Sequence, residues 1–367
     1  MRSNSRDKRL TLEMSQLITR ARTMGLATAI PIYLDDSELI RLVTIILNDL
    51  NKTLPPEVYL LPQKVGNYYD LPLDWFKEPM HEADFTKIYL SCTQVVQDFD
   101  TYFKCLCEIH KRRRKYERIL SAQPLPTMLQ ISPRTLLEFG IIASPALASW
   151  MVCKKWFYDI DNRAAQETGY LFEPILASAL GGVSCSARNS PIRRRSDPKK
   201  GRQVDCIVDK TAYEFKLRVT IAASGQGRFA QELDFAEDCR NSGFSPVLLV
   251  LDPTPSARLE ELSKEYERVE GQTYIGDKAW QHIEEQAGAT MGTFVEKYVR
   301  RPIAEIDTYA SNLLNLSISK LSSESAFAVE LSNEQESFSW RINRKEDQTL
   351  ADETTSLEDE YFMDCPT

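Results

Sequence analysis

Residues 204–219 read VDCIVDKTAYEFKLRV, two runs of alternating residues interrupted once, at Asp209-Lys210. With the strand period of 2, Val204, Cys206 and Val208 point one way, as do Tyr213, Phe215, Leu217 and Val219 on the second run. The other face carries Gln203, Asp205 and Ile207, then Glu214, Lys216 and Arg218. A two-residue turn at Asp209-Lys210 sets Asp205 opposite Glu214, with side chains about 5 Å apart. Two anions so placed repel unless one is protonated or a cation lies between them, and hard oxygen ligands select Mg2+ or Mn2+. Lys216, two residues beyond Glu214 on the same face, adds an ammonium that can orient a water. The outline is a hydrolytic phosphodiester site. The alternative is a surface hairpin whose charges face water.

The flanks decide between them. Gly225 and Gly227 precede RFAQELDFAEDCRNSG, which sets Phe229, Leu233, Ala236 and Cys239 at helical spacing and stops near Gly243. FSPVLLVLDP follows as a continuous apolar run of the buried-strand type. The predicted order is strand, strand, helix, strand. Upstream, GYLFEPILASALGG predicts a helix ending at Gly181-Gly182, with Pro174 either starting it near Glu173 or kinking it there.

On Asp205, Glu214 and Lys216 the stretch resembles the PD-(D/E)XK nuclease superfamily, with Val204 where the nominal proline would stand. That resemblance implies an upstream acid on a helix, matched here by Glu173, with Glu167 as runner-up. The run from Gly201 to Pro255, with YIGDKAW and TMGTFVEKYV downstream, resembles the ApaLI-like type II restriction endonucleases over roughly residues 160–300. The implied fold is mixed α/β (α+β): a restriction-endonuclease-like core with a central mixed β-sheet flanked by helices, behind a largely helical N-terminal region. The implied activity is that of a Mg2+-dependent homodimer cutting both strands of a short palindromic site in double-stranded DNA, protein and DNA sharing two-fold symmetry. A cognate DNA methyltransferase is the expected genetic partner. Asp205 and Glu214 would hold one or two Mg2+ ions and Lys216 would position or activate the water, with no covalent nucleophile needed. Two other classes fit the same residues. One is a repair, recombination or transposition nuclease; the other is a non-catalytic nucleic-acid-binding protein, which an intact Asp205, Glu214 and Lys216 count against.

DNA binding needs positive charge near the site. Residues 188–202, RNSPIRRRSDPKKGR, hold seven bases (Arg188, Arg193, Arg194, Arg195, Lys199, Lys200 and Arg202) against one acid, and run straight into the strand of Asp205. Such a segment suits phosphates or base edges; its plain alternative is a solvated basic loop. Arg218 and Arg228 add to the local potential. A second basic run, HKRRRKYER at 110–118, ends an apparently long helix, where cations are favourable without any ligand.

The net charge of -8 is local in origin. Residues 346–367 hold eight of the 53 acids and none of the 45 bases, so the remainder is balanced. This acidic end reads as a solubilising, disordered tail. The eight cysteines give no disulfide framework; Cys92, Cys105, Cys107, Cys153, Cys206 and Cys239 sit in apolar settings where a reduced thiol packs as a small hydrophobe. Cys105, Cys107 and His110 lack the spacing of a zinc site, and His81, His110 and His282 supply histidine chemistry poorly. No secretory h-region and no membrane-length apolar run appear, which predicts a cytoplasmic protein with no membrane partner.

The expected organisation is 1–130, a helical region that reads DNA, dimerises or braces the rest; 131–316, the nuclease core; and 317–367, a polar tail. LTLEMSQLITRARTMG and DSELIRLVTIILNDLNK predict helices, the second capped by Asp36 or Ser37. SAQPLPTMLQ predicts a linker, and Ser132-Pro133 and Ser144-Pro145 each predict a helix start. FAVEL and SFSWRI predict a small hairpin anchored by Trp340.

Overall fold

Asp35 starts the second helix with a reciprocal cap: its side chain accepts from the Glu38 amide at 2.9 Å, and its own amide donates to Glu38 Oε2 at 3.0 Å. The cap therefore falls one residue before the expected Asp36 or Ser37. The protein is seen in a computed structural model that describes residues 10–25, 30–52, 65–80, 83–217, 226–321 and 326–343. The expected acidic tail, His81, Arg218 and Val219 lie outside them, as does the Arg228 side chain.

The helices are α1 (Leu12–Arg22), α2 (Asp36–Asp49), α3 (Leu73–Lys77), α4 (Phe85–Val95), α5 (Phe99–Ala122), α6 (Met128–Thr135) and α7 (Ser144–Ala179). A short antiparallel pair, β1 (Thr23–Met24) and β2 (Ile32–Tyr33), follows α1. Then come β3 (Val183–Cys185), β4 (Arg193–Arg194), β5 (Asp197–Gly201), β6 (Val204–Val208), β7 (Thr211–Lys216), α8 (Gln226–Asn241), β8 (Ser245–Val250), α9 (Ala257–Arg268) and β9 (Gln272–Ile275). The chain continues through α10 (Asp277–Val295), a wider-turn segment Glu296–Arg300 and α11 (Arg301–Thr308) to β10 (Asn315–Leu321), β11 (Ala326–Ser332) and β12 (Ser337–Asn343).

The central sheet has the order β3-β6-β7-β8-β9. Its first two pairings are antiparallel, and β7, β8 and β9 run parallel, linked by crossovers through α8 and α9. It is the mixed sheet flanked by helices that the sequence predicts. Because β8 is covered on both faces, its side chains divide by parity. Val247 and Leu249 join Cys206, Tyr213 and Phe215 in a core shared with α7, α10 and the N-terminal helices. Leu248 and Val250 join Ile207 and Ala212 in a second core beneath α8 and α9. Val204 departs from the expected alternation and joins the second core, where the β3–β6 register shifts between Val183 and Cys185.

Pro174 neither starts nor divides a helix: α7 runs unbroken from Ser144 to Ala179 with Pro174 inside it. It ends where expected, with Gly181 at φ 72°. Gly182 then passes so close to β6 that a Cβ there would collide with Cys206 Sγ and the Ile207 carbonyl. Ser132-Pro133 lies within α6, which opens instead at Thr127 with a capping box to Gln130. The C-terminal hairpin gains a third strand, β10, and Val329 packed on Trp156 anchors it while Trp340 is exposed. The six cysteines expected to be thiols are free. Cys185 is disulfide-bonded, a departure from the wholly reduced reading.

The basic run 110–118 turns partly into the core, while Glu117 and Arg118 stay exposed. Lys111, Arg112 and Lys115 are buried. Lys111 Nζ donates to the carbonyls of Arg20 and Thr23 at 2.8 and 3.0 Å. Arg112 and Lys115 share Glu167, and Arg114 meets Glu38 at 2.6 Å. This run brackets α5 to its neighbours.

Candidate active site

The β6–β7 hairpin pairs Val208 with Thr211, Ile207 with Ala212 and Cys206 with Tyr213. Asp209, at φ 51°, and Lys210 make the two-residue turn. Continued by one pair, that register sets Asp205 opposite Glu214. Asp205 is buried, and its Oδ2 accepts the Phe215 amide at 2.8 Å, so the carboxylate reaches across to the strand that bears Glu214 and Lys216. Lys216 Nζ lies 2.7 Å from Glu214 Oε1 and 3.4 Å from Glu232 Oε1 on α8. These groups line a cavity of about 330 Å³ open to solvent, with Gln231 and Glu232 of α8 and Tyr266 of α9 forming part of its wall.

Burial first, and then the negative charges of Glu214 and Glu173, raise the proton affinity of Asp205 well above the carboxylate range. Glu173, on α7, is pushed up to about 7 by burial and by Glu214, with Lys216 partly offsetting. Burial alone would weaken the Lys216 proton, but Glu214, Glu232 and Asp205 outweigh it and hold the ammonium charged. Four carboxyl groups thus gather around one ammonium. Glu232 Oε2 is buried with no hydrogen-bond partner, an acceptor left without a donor.

That donor set suits a hard divalent cation. Among the described residues no three Asp, Glu, His or Cys side chains form a closed metal cage. A cation held by two carboxylates and completed by waters and phosphate oxygens, the habit of Mg2+, needs none.

Of the expected upstream acids, Glu173 couples electrostatically to the site, whereas Glu167 is committed to Arg112 and to Lys115 at 2.8 Å. Residues 188–202 are no plain loop, because β4 and β5 pair as a hairpin. Arg194 and Arg202 line the cavity, the latter 2.8 Å from Asp238 and over the Phe235 ring. Arg195 is exposed and pairs with Asp234 and Glu237 of α8 at the surface, which offsets its charge locally. Arg188, Arg193, Lys199 and Lys200 are exposed. Glu232 escaped the sequence reading. The signal was there: it lies three residues beyond Phe229 and four before Ala236, an acid on the inward stripe of α8.

The ApaLI-like restriction endonuclease family model matches residues 71–300. The chain is also 49% identical over 320 residues to the type II restriction enzyme ApaLI of Acetobacter pasteurianus, covering 82% of this chain and 84% of that relative. No solved structure matches it.

Proposed function

Since the chain belongs to the ApaLI-like restriction endonuclease family, we propose that the cavity of Asp205, Glu214 and Lys216 is where it hydrolyses DNA phosphodiester bonds. It is a type II restriction endonuclease, a metal-dependent nuclease of double-stranded DNA. The finer reading is that Mg2+ is the cation and a short palindrome the target. Family membership leaves the repair-nuclease and non-catalytic readings without support.

The observation that carries the reading is Lys216 Nζ at 2.7 Å from Glu214, beside a buried Asp205 in an open cavity. Asp205 and Glu214 would hold the cation, and Glu173 adds a third carboxyl within electrostatic reach. Bound there, Mg2+ would lower the pKa of a water and neutralise charge developing on phosphorus. Lys216, kept charged, orients the attacking water from the same strand. Glu232, 3.4 Å from Lys216 Nζ, holds the ammonium from the α8 side. Arg194 receives the phosphates beside the scissile bond, with Arg202 on the cavity wall held in place by Asp238, and Lys199, Lys200, Arg188 and Arg193 extend that positive edge along the DNA. The N-terminal helices brace the sheet through the core they share with it. We place the enzyme in the cytoplasm, alongside a methyltransferase that protects the host DNA.

Digestion of plasmid DNA tests this. The expected result is a set of discrete fragments with Mg2+ and none with EDTA. Structure-dependent nicking, or intact plasmid with Mg2+, would overturn it.

A further inference from the structure

Residues 128–158 hold the largest concentration of exposed apolar side chains among the described residues. Leu129, Leu136, Leu137, Phe139 and Ile141 are between 67% and 89% exposed, and Trp150 is half exposed. They lie on the elbow where α6 turns into α7. The elbow is continuous: the Phe139–Ile142 bridge closes its turn, and the Trp150 indole donates to Glu138 at 2.7 Å. Only Ile131, Leu147 and Met151 form a core beneath it, separate from the two large ones. The elbow therefore turns most of its apolar surface outward.

We propose that this elbow is the face on which a second copy of the chain docks. At about 200 Å² per large apolar residue, the six side chains expose on the order of 800 Å², the share each partner contributes to a standard-size interface. The surface is apolar, with Glu138 tied to Lys154, so it does not fit a phosphate backbone. Residues 346–367, eight acids and no base, do not fit it either. A self-complementary apolar face matches a two-fold partner. The same α7 that leaves the elbow carries Glu173 at its far end, so a contact there fixes one site relative to the other. This inference rests on the restriction reading, which calls for two sites on one duplex.

The test is sedimentation velocity on the full chain, with Leu137→Glu/Phe139→Ser as the variant, alongside Asp205→Asn. Both elbow positions are exposed, so the variant folds, as an unchanged far-ultraviolet circular dichroism spectrum will report. Wild type and Asp205→Asn are expected at twice the 42.0 kDa of one chain, and the elbow variant at that mass. The elbow variant is also expected to linearise plasmid about tenfold more slowly and to accumulate nicked circles. A monomeric wild type, or an elbow variant that remains a dimer, overturns the docking face whatever the cleavage result. A dimer that the elbow variant dissociates, but which cuts no DNA, supports the face and sinks only the nuclease reading.

Discussion

Asp205 Oδ2 accepts the backbone amide of Phe215 at 2.8 Å, which binds the carboxylate of one strand to the strand presenting Glu214 and Lys216. The hydrogen bond fixes one carboxylate oxygen and leaves the other for a cation. The site is assembled by the hairpin itself.

Lys216 is the positive centre of that assembly. Removing it as Lys216→Met leaves Glu214 and Glu232 repelling one another beside Asp205 in a partly buried setting, at a cost of about 2–4 kcal/mol. Urea denaturation without metal should show this loss, and added Mg2+ should recover part of it. Unchanged stability would mean that the ammonium balances nothing.

Glu173 gives the metal-free protein a pH dependence of unusual sign. Burial and Glu214 raise its pKa from 4.5 to about 7, so the folded state binds a proton that the unfolded state releases. That contribution is fully present below 4.5 and is lost as pH rises toward 7. Thermal unfolding in EDTA should show stability falling across this window, Glu173→Gln should flatten the fall, and Mg2+ should reverse it. The same variant should cut DNA slowly.

Glu167 behaves oppositely. Burial would raise its pKa, but Arg112 and Lys115 outweigh that and hold it below 4.5. Its contribution is present above 4.5 and lost as pH falls through the lowered value. Glu167→Gln should cost about 3 kcal/mol at neutral pH, because it removes the carboxylate those two buried cations share. It should also make the acid side of the stability profile shallower. The pair of variants separates the two acids: cleavage follows Glu173, stability follows Glu167.

Much of this was legible in the chain. Alternation across Asp209-Lys210 gave the register that sets Asp205 against Glu214, because a period of 2 and a two-residue turn leave no freedom. The continuous apolar run of β8 marked a strand covered on both sides. What periodicity could not reach was tertiary. Nothing local says that the basic run 110–118 turns inward to meet Glu38 and Glu167, since those acids lie far off in sequence. Pro174 read as a boundary because its ring opposes a helix interior, yet α7 carries it through. Glu232 was hidden because a helix acid reads as solvated until the sheet beneath it is known.

The measurement that reaches the central claim most directly is Asp205→Asn, assayed in parallel for binding and cleavage. Asparagine keeps an oxygen to accept the Phe215 amide and removes the charge that holds a cation. Fluorescence anisotropy should find affinity for DNA within about threefold of wild type, while Mg2+-dependent cleavage falls by at least about a thousandfold. Cleavage that survives the substitution, or binding lost in proportion to it, would contradict the assignment of Asp205 as a metal-holding carboxylate.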